Sequence, residues 1–192
     1  MRKLVCGVGV NDANYTVHPT VNGKRIWCEF YHTWNSMLQR CYSEKFLVRY
    51  PTYIGCTVCE EWKSFMNFKE WMAVQDWESK HLDKDISVTG NKIYSPETCM
   101  FVSQEVNNLL TDHGAARGAL PLGVRKNGSG FQTHVKMGKG VKTYHKQHKT
   151  VEKATLDYKF RKCLRILHVA AQQTDIRIRQ SLLRIANERY SV

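Results

Sequence analysis

Residues 81–110, HLDKDISVTGNKIYSPETCMFVSQEVNNLL, set the architecture of the front of the chain. HLDKDI alternates as a half-buried strand does, with Leu82 and Ile86 on one side and Asp83 and Asp85 on the other. Gly90-Asn91 marks a turn, Ser95-Pro96-Glu97 opens a second short turn, and CMFV (99–102) predicts another strand. Ser103 is placed to cap the helix QEVNNLL (104–110), because its hydroxyl can accept from an unpaired N–H of the first turn. The predicted order is strand, turn, strand, helix.

Upstream, the chain is aromatic and helical. Tyr31, Trp34, Leu38 and Cys41 recur at intervals of three and four between Phe30 and Tyr42, which predicts an amphipathic helix. YIGCTVC (53–59) predicts a short strand, and EEWKSFMNFKEWM (60–72) places Phe65, Phe68, Trp71 and Met72 on one helical face, a core stripe. Residues 1–27, rich in Gly, Asn, Thr and Val, predict an arm of short strands or irregular chain. Downstream, TDHGAARGALP (111–121) is the natural linker. LGVRK, GFQTHVKM and GVKTYHK then form three strand-like runs separated by Gly-rich turns. Thr150 opens a long helix carrying Ala154, Tyr158, Leu164 and Leu167, and a last basic helix runs from Ile176 to Ala186. The predicted domains are an arm at 1–27, a front domain at 28–110, the linker, and a basic domain with terminal helices at 122–192.

The chain has 192 residues, 42% of them apolar, enough for one or two small domains with real cores. It has no run of about 18 apolar residues to cross a membrane, and MRKLVCGVGVND is too short an apolar stretch for a secretory signal. The expectation is a soluble protein in the cytoplasm of the cell that makes it, with no membrane partner. Seven cysteines, an odd number without an export signal, argue against a disulfide framework.

Charge divides the chain sharply. Residues 1–120 carry 13 Lys and Arg against 13 Asp and Glu, whereas residues 121–192 carry 16 against 4, so the net charge of +12 sits entirely in the rear. A solvated face would mix the signs; a strongly basic rear points to a polyanionic partner.

The motifs CEFYHTWNSMLQRCY, TYIGCTVCEEWKSFMNFKEWM, LDKDI, GN and YSPETCMFVSQEVNN, spread over residues 28–110, resemble a phage-encoded branch of the HNH (His-Me finger) endonucleases, which includes homing endonucleases that nick DNA. The resemblance implies an α+β protein with a ββα-metal finger that binds Mg²⁺ or another divalent cation. Such a site needs a carboxylate and a neutral oxygen to hold the metal on the scissile phosphate, and a base to deprotonate water. By this resemblance Asp83 and Asn107 take the metal positions. The catalytic-His position is Lys84, and the central Asn that steadies the loop is Thr98.

Those two departures differ in weight. Thr98 still offers a hydroxyl to the loop. Lys84, with an ordinary pKa of about 10.4, is protonated near neutral pH, and neighbouring Asp83 and Asp85 push it further upward. Lys84 reads as a base only against that chemistry, and otherwise as a salt-bridge or phosphate contact. His81, on the same strand face as Asp83, and Asp85, acting on a water directly, are the alternative bases.

Cys41, Cys56, Cys59 and Cys99 are candidates for a four-thiolate zinc site, although a single CxxC is a weak signal and core packing is the competing reading.

The rear segment 122–160 resembles the three-stranded-sheet-plus-helix DNA-binding domain of the ethylene-response-factor (Apetala) type. GVR, the aromatic Phe131 after a Gly-rich turn, the Gly-Lys hairpin and the helix entry TVEKATLDY carry the likeness. It implies a sheet that enters the major groove of double-stranded DNA. Arg125, Lys126, Gln132, His134 and Lys136 are the expected DNA-facing residues, with Lys139, Lys142 and Lys146 near the backbone. The terminal helices extend that track or, through Ile176, Ile178, Leu183 and Ile185, pack on the domain or on a second subunit. Two functions follow: an HNH-type nicking or cleaving endonuclease of a phage acting in the infected bacterium, or a degenerate HNH-fold DNA-binding or interfering protein without nuclease activity. A protein-directed inhibitor on the same frame is a third.

Overall fold

The protein is α+β, and the computed structural model describes residues 3–111 and 119–191. The expected linker thus lies largely outside the described residues. The chain divides into two compact units, Met1–Val102 and Ser103–Val192.

In the first unit, the helix expected at Phe30–Tyr42 is α1 (Glu29–Tyr42), which buries Trp34, Met37, Leu38 and Cys41. The aromatic stripe becomes α3 (Phe65–Ala73), capped by the Ser64 side chain accepting from the Asn67 N–H, with Phe65, Phe68 and Met72 buried. These two faces meet in one core. Trp34 and Phe65 rings lie 5.5 Å apart, and Trp34 Nε1 donates to the Trp62 carbonyl at 2.7 Å, so this buried indole has its polar atom satisfied.

The N-terminal arm is part of this core. Ala13 and Val17 are buried with Trp34 and Leu38. Asp12 accepts from Ser64 Oγ at 2.6 Å and from the Met66 N–H at 2.9 Å, tying the arm to the start of α3. At Gly9 the backbone passes so close to α1 that a Cβ would stand 2.4 Å from Leu38 and 2.8 Å from Trp34, which only glycine permits. Beyond the arm's buried residues, β1 (Thr20–Val21) and β2 (Lys24–Arg25) make a small exposed hairpin.

After α1 come α2 (Glu44–Arg49), a 3-10 turn at Pro51–Tyr53 and β3 (Thr57–Val58). The strand expected from HLDKDI is shorter, β4 (His81–Asp83), because the chain turns at Lys84. β5 (Ile93–Tyr94) pairs in parallel with β3, and β6 (Met100–Val102) pairs antiparallel with β4 in the register His81 with Val102 and Asp83 with Met100.

The second unit begins with α4 (Gln104–Leu110), whose Ser103 cap accepts from the Val106 N–H as its sequence predicts. α4 joins this unit through side chains of the long helix: Lys162 donates to the Leu109 carbonyl at 2.6 Å, and buried Arg165 pairs with Glu105. The three predicted strands are β7 (Val124–Asn127), β8 (Gly130–Val135) and β9 (Tyr144–His148), in antiparallel order β7-β8-β9. α5 (Val151–Ala171), capped by Thr150, lies on the sheet, and α6 (Ile176–Tyr190) packs back along α5. Buried Thr133 on β8 donates to the Ala154 carbonyl at 2.9 Å, while Tyr144 and His148 on β9 both reach Asp157 of α5, His148 at 3.1 Å. These bonds fix which face of the sheet meets the helix and leave the other face outward.

Candidate functional site

The hairpin between β4 and β6 gathers most of the expected catalytic residues. His81 and Asp83 share the strand face opposite buried Leu82. Asp83 Oδ1 accepts from the N–H groups of Asp85 at 2.8 Å and Ile86 at 2.7 Å, so this carboxylate closes the turn that ends β4. Burial raises the Asp83 pKa above the ordinary carboxylate value, although those two N–H groups oppose the rise.

Lys84 points inward, only 5% exposed, on the same side as Leu82 and Ile86. Its ammonium donates to Asp85 Oδ1 at 2.6 Å and to the Asn91 carbonyl at 2.8 Å, and lies 5.7 Å from the Tyr94 ring centre. Burial opposes the charge, but the bonded Asp85 carboxylate more than offsets it, and the lysine pKa stands above its ordinary value. A buried, paired ammonium has no free electron pair for a proton. Lys84 therefore serves as a structural cation where the resemblance places a base.

Asn91 reciprocates. Its Nδ2 donates to the Lys84 carbonyl at 2.9 Å and to the Ile93 carbonyl at 2.6 Å, so the loop is clasped from both sides. Thr98 donates to the Ile93 carbonyl at 2.9 Å, and its own carbonyl accepts from Ser87 Oγ at 2.6 Å, a loop-steadying role for a short hydroxyl. Asp85 is half exposed and engaged by Lys84. In the sequence Asn91 is visible only as half of a Gly-Asn turn; in the fold its amide organises the loop.

The two residues expected to hold a divalent cation fall in different units: Asp83 ends β4 in the first, and Asn107 lies on α4 in the second. Among the described residues, no three His, Cys, Asp or Glu side chains are grouped to hold a metal ion. Cys41, Cys56 and Cys99 pack in the core, with Cys59 at its edge. Burial pushes the thiols of Cys41 and Cys99 up to about 12 and that of Cys59 upward, so without a metal all three favour the protonated form.

In the second unit, register sorts the expected DNA-facing residues. Arg125 pairs with Gln132, Gln132 with Gln147, and His134 with His145, which places all five on the outward face. Arg125 donates to Gln132 Oε1 through Nε at 2.9 Å and through a terminal nitrogen at 2.6 Å, and lies 3.3 Å from His145 Nδ1. The His134 and His145 rings are 4.8 Å apart. Burial first, then Arg125, His145 and Lys136, hold the His134 pKa below its ordinary value, so His134 is neutral at pH 7. Lys136, Lys139 and Lys142 lie between β8 and β9, and all three are exposed.

Lys126 and Lys146 lie on the opposite, helix-facing side of the register, paired with Phe131 and Thr133. Lys126 Nζ sits 4.5 Å over the Phe131 ring. His145 and Gln147 are the outward residues that composition alone does not select. Alternation along β9 finds them once its pairing with β8 is known.

No family model matches the chain, and no curated protein or solved structure matches it.

Proposed function

We propose that this chain is a double-stranded DNA-binding protein in which an HNH-like hairpin survives as a scaffold. The observation that carries the reading is the outward sheet face of the second unit. Arg125, Gln132, His134, His145 and Gln147 converge there, on the part of the chain that holds the whole positive excess. Such a face offers hydrogen-bonding side chains of graded length to base edges, while Lys136, Lys139 and Lys142 neutralise phosphates.

The nuclease reading rests on Asp83 and Asn107 at the metal positions that the resemblance implies. Against it stands Lys84, buried and paired where water activation would need a free base. Scaffold rather than catalyst is the role this favours for the hairpin.

Two assays separate the readings. In a gel shift with chelator present, the protein retains duplex DNA and releases it steeply with salt, and Lys142→Ala reduces the logarithmic salt slope by about 0.9 for each phosphate that the lysine neutralises. Supercoiled DNA incubated with Mg²⁺ or Mn²⁺ stays un-nicked. Nicking that disappears in Asp83→Ala and Asn107→Ala would restore the endonuclease; failure to retain DNA at any salt concentration would leave a protein partner.

A further inference from the structure

The first unit carries a pocket that neither the hairpin nor the DNA-binding face uses. It is an open depression of about 340 Å³ between α1, α2 and the 3-10 turn, lined by Ser36, Gln39, Arg40, Phe46, Tyr50 and Tyr53. Ser36, Gln39 and Arg40 present one helical edge of α1 at intervals of three and four, and the aromatic rings come from the chain that follows.

Arg40 is the unusual member. A terminal nitrogen of its guanidinium lies 3.5 Å from the Leu82 carbonyl and the group also bonds Tyr94, which leaves part of its five-donor fork uncommitted. Among the described residues no carboxylate pairs with it at ion-pair distance. Burial works against its charge, while the hydrogen bond with Tyr94 and the more distant Asp83 carboxylate favour it. A partly buried cation without a matching anion calls for one from outside, and a guanidinium fork matches phosphate in two-point geometry.

The wall opposite is aromatic. Phe46 and Tyr50 rings are 4.6 Å apart, Phe46 and Tyr53 5.5 Å; Tyr50 is 41% exposed, with the Arg49 guanidinium 5.4 Å from its ring centre. Inorganic phosphate would leave these three aromatic rings unused beside the guanidinium. The volume falls at the small end of ligand sites, about 300–1,000 Å³, which suits one nucleotide and excludes a duplex.

We propose that this pocket binds a single nucleotide, its phosphate on Arg40 and its base against the Tyr50 and Phe46 rings, with Ser36 and Gln39 meeting its polar edges. The nucleotide is either free or the terminal residue of a DNA strand; the chemistry is the same. The site is independent of the sheet face, so either can fail alone.

The full-length protein is titrated with deoxyadenosine monophosphate, deoxyadenosine and inorganic phosphate by calorimetry and phosphorus NMR. A short single strand with and without a 5′-phosphate is compared in parallel. The monophosphate binds saturably and more tightly than either of its parts. A phosphate-dependent gain with the strand identifies a strand end as ligand, whereas binding of the mononucleotide alone identifies the free form; both support the site. Tyr50→Ala weakens the monophosphate about tenfold, as loss of a stacking platform does, and leaves duplex retention in the gel shift unchanged. Arg40→Lys removes the two-point grip, with the melting temperature checked in the same sample; Tyr50→Ala, at an exposed position, carries the test if Arg40→Lys unfolds. Absence of saturable monophosphate binding, equal binding of inorganic phosphate, or indifference to Tyr50→Ala would overturn the proposal.

Discussion

Lys84 and Asn91 hold each other twice: the lysine ammonium donates to the asparagine carbonyl at 2.8 Å, and the asparagine amide donates to the lysine carbonyl at 2.9 Å. Replacing Lys84 with Met keeps the length of the side chain but leaves the Asn91 carbonyl without its donor. Lys84→Met is expected to lower stability by about 1–3 kcal/mol, read as a fall in the urea midpoint; an unchanged midpoint would show the clasp to be idle. Because the folded pKa of Lys84 is raised, its contribution is complete below the unfolded lysine pKa of about 10.4 and fades only as pH rises through the folded value. The deficit of Lys84→Met is therefore constant from neutral to mildly alkaline pH.

Lys84→His restores the residue type that the resemblance calls for, but into a buried slot built around an ammonium. An imidazole is too short to reach both Asp85 and the Asn91 carbonyl. The variant is expected to be less stable than the parent and to nick no supercoiled DNA with Mg²⁺ or Mn²⁺. Metal-dependent nicking by this single variant would mean that the hairpin still holds a working centre.

His134 is kept from protonation by burial and by Arg125, His145 and Lys136. A histidine whose folded pKa is depressed contributes stability that is present above its unfolded pKa of about 6.5 and is lost as pH falls below it. Thermal melts of the parent are expected to move to lower temperature between neutral and mildly acidic pH. His134→Gln should flatten that dependence; an identical pH profile in the variant would contradict the assignment.

Gly123 has φ of +72°, and a Cβ there would lie 1.9 Å from the Tyr158 ring. Both the backbone and the space demand glycine. Gly123→Ala is expected to disrupt the packing of α5 on the sheet, seen as loss of dispersed amide signals from the second unit, with signals of residues 3–102 retained. Retention of the dispersed second-unit spectrum would refute this.

Much of the helical framework is legible in the sequence because periodicity and caps are local. The three-and-four spacing places α1 within a residue of its start, and Ser103 and Thr150 cap α4 and α5 by the mechanism their sequence suggests. The last helix runs on past Ala186 to Tyr190, since nothing in ANERY breaks it. Strand ends are less legible. HLDKDI alternates through Ile86, but the Asp83 carboxylate captures two N–H groups and bends the chain after three residues. That same alternation puts Lys84 beside Leu82 and Ile86, yet a lysine reads as solvent-bound until its partners across the loop are known. The side of the sheet that Lys126 and Lys146 occupy is illegible for a related reason: charge does not reveal it, whereas cross-strand register does. The pocket around Arg40 joins residues from three successive elements and has no linear signature.

Gly9 and Asp12 bear on how the front of this chain can be exchanged between proteins. The glycine lets the backbone lie against Leu38 and Trp34, and the aspartate staples it to Ser64 and Met66. A cassette cut at residue 28, where the recognisable motifs begin, would leave behind the strip that shields its own tryptophan. Whatever recombination or engineering moves this front unit to a new host protein must carry the arm that holds Gly9 and Asp12 with it, or supply another strip in its place.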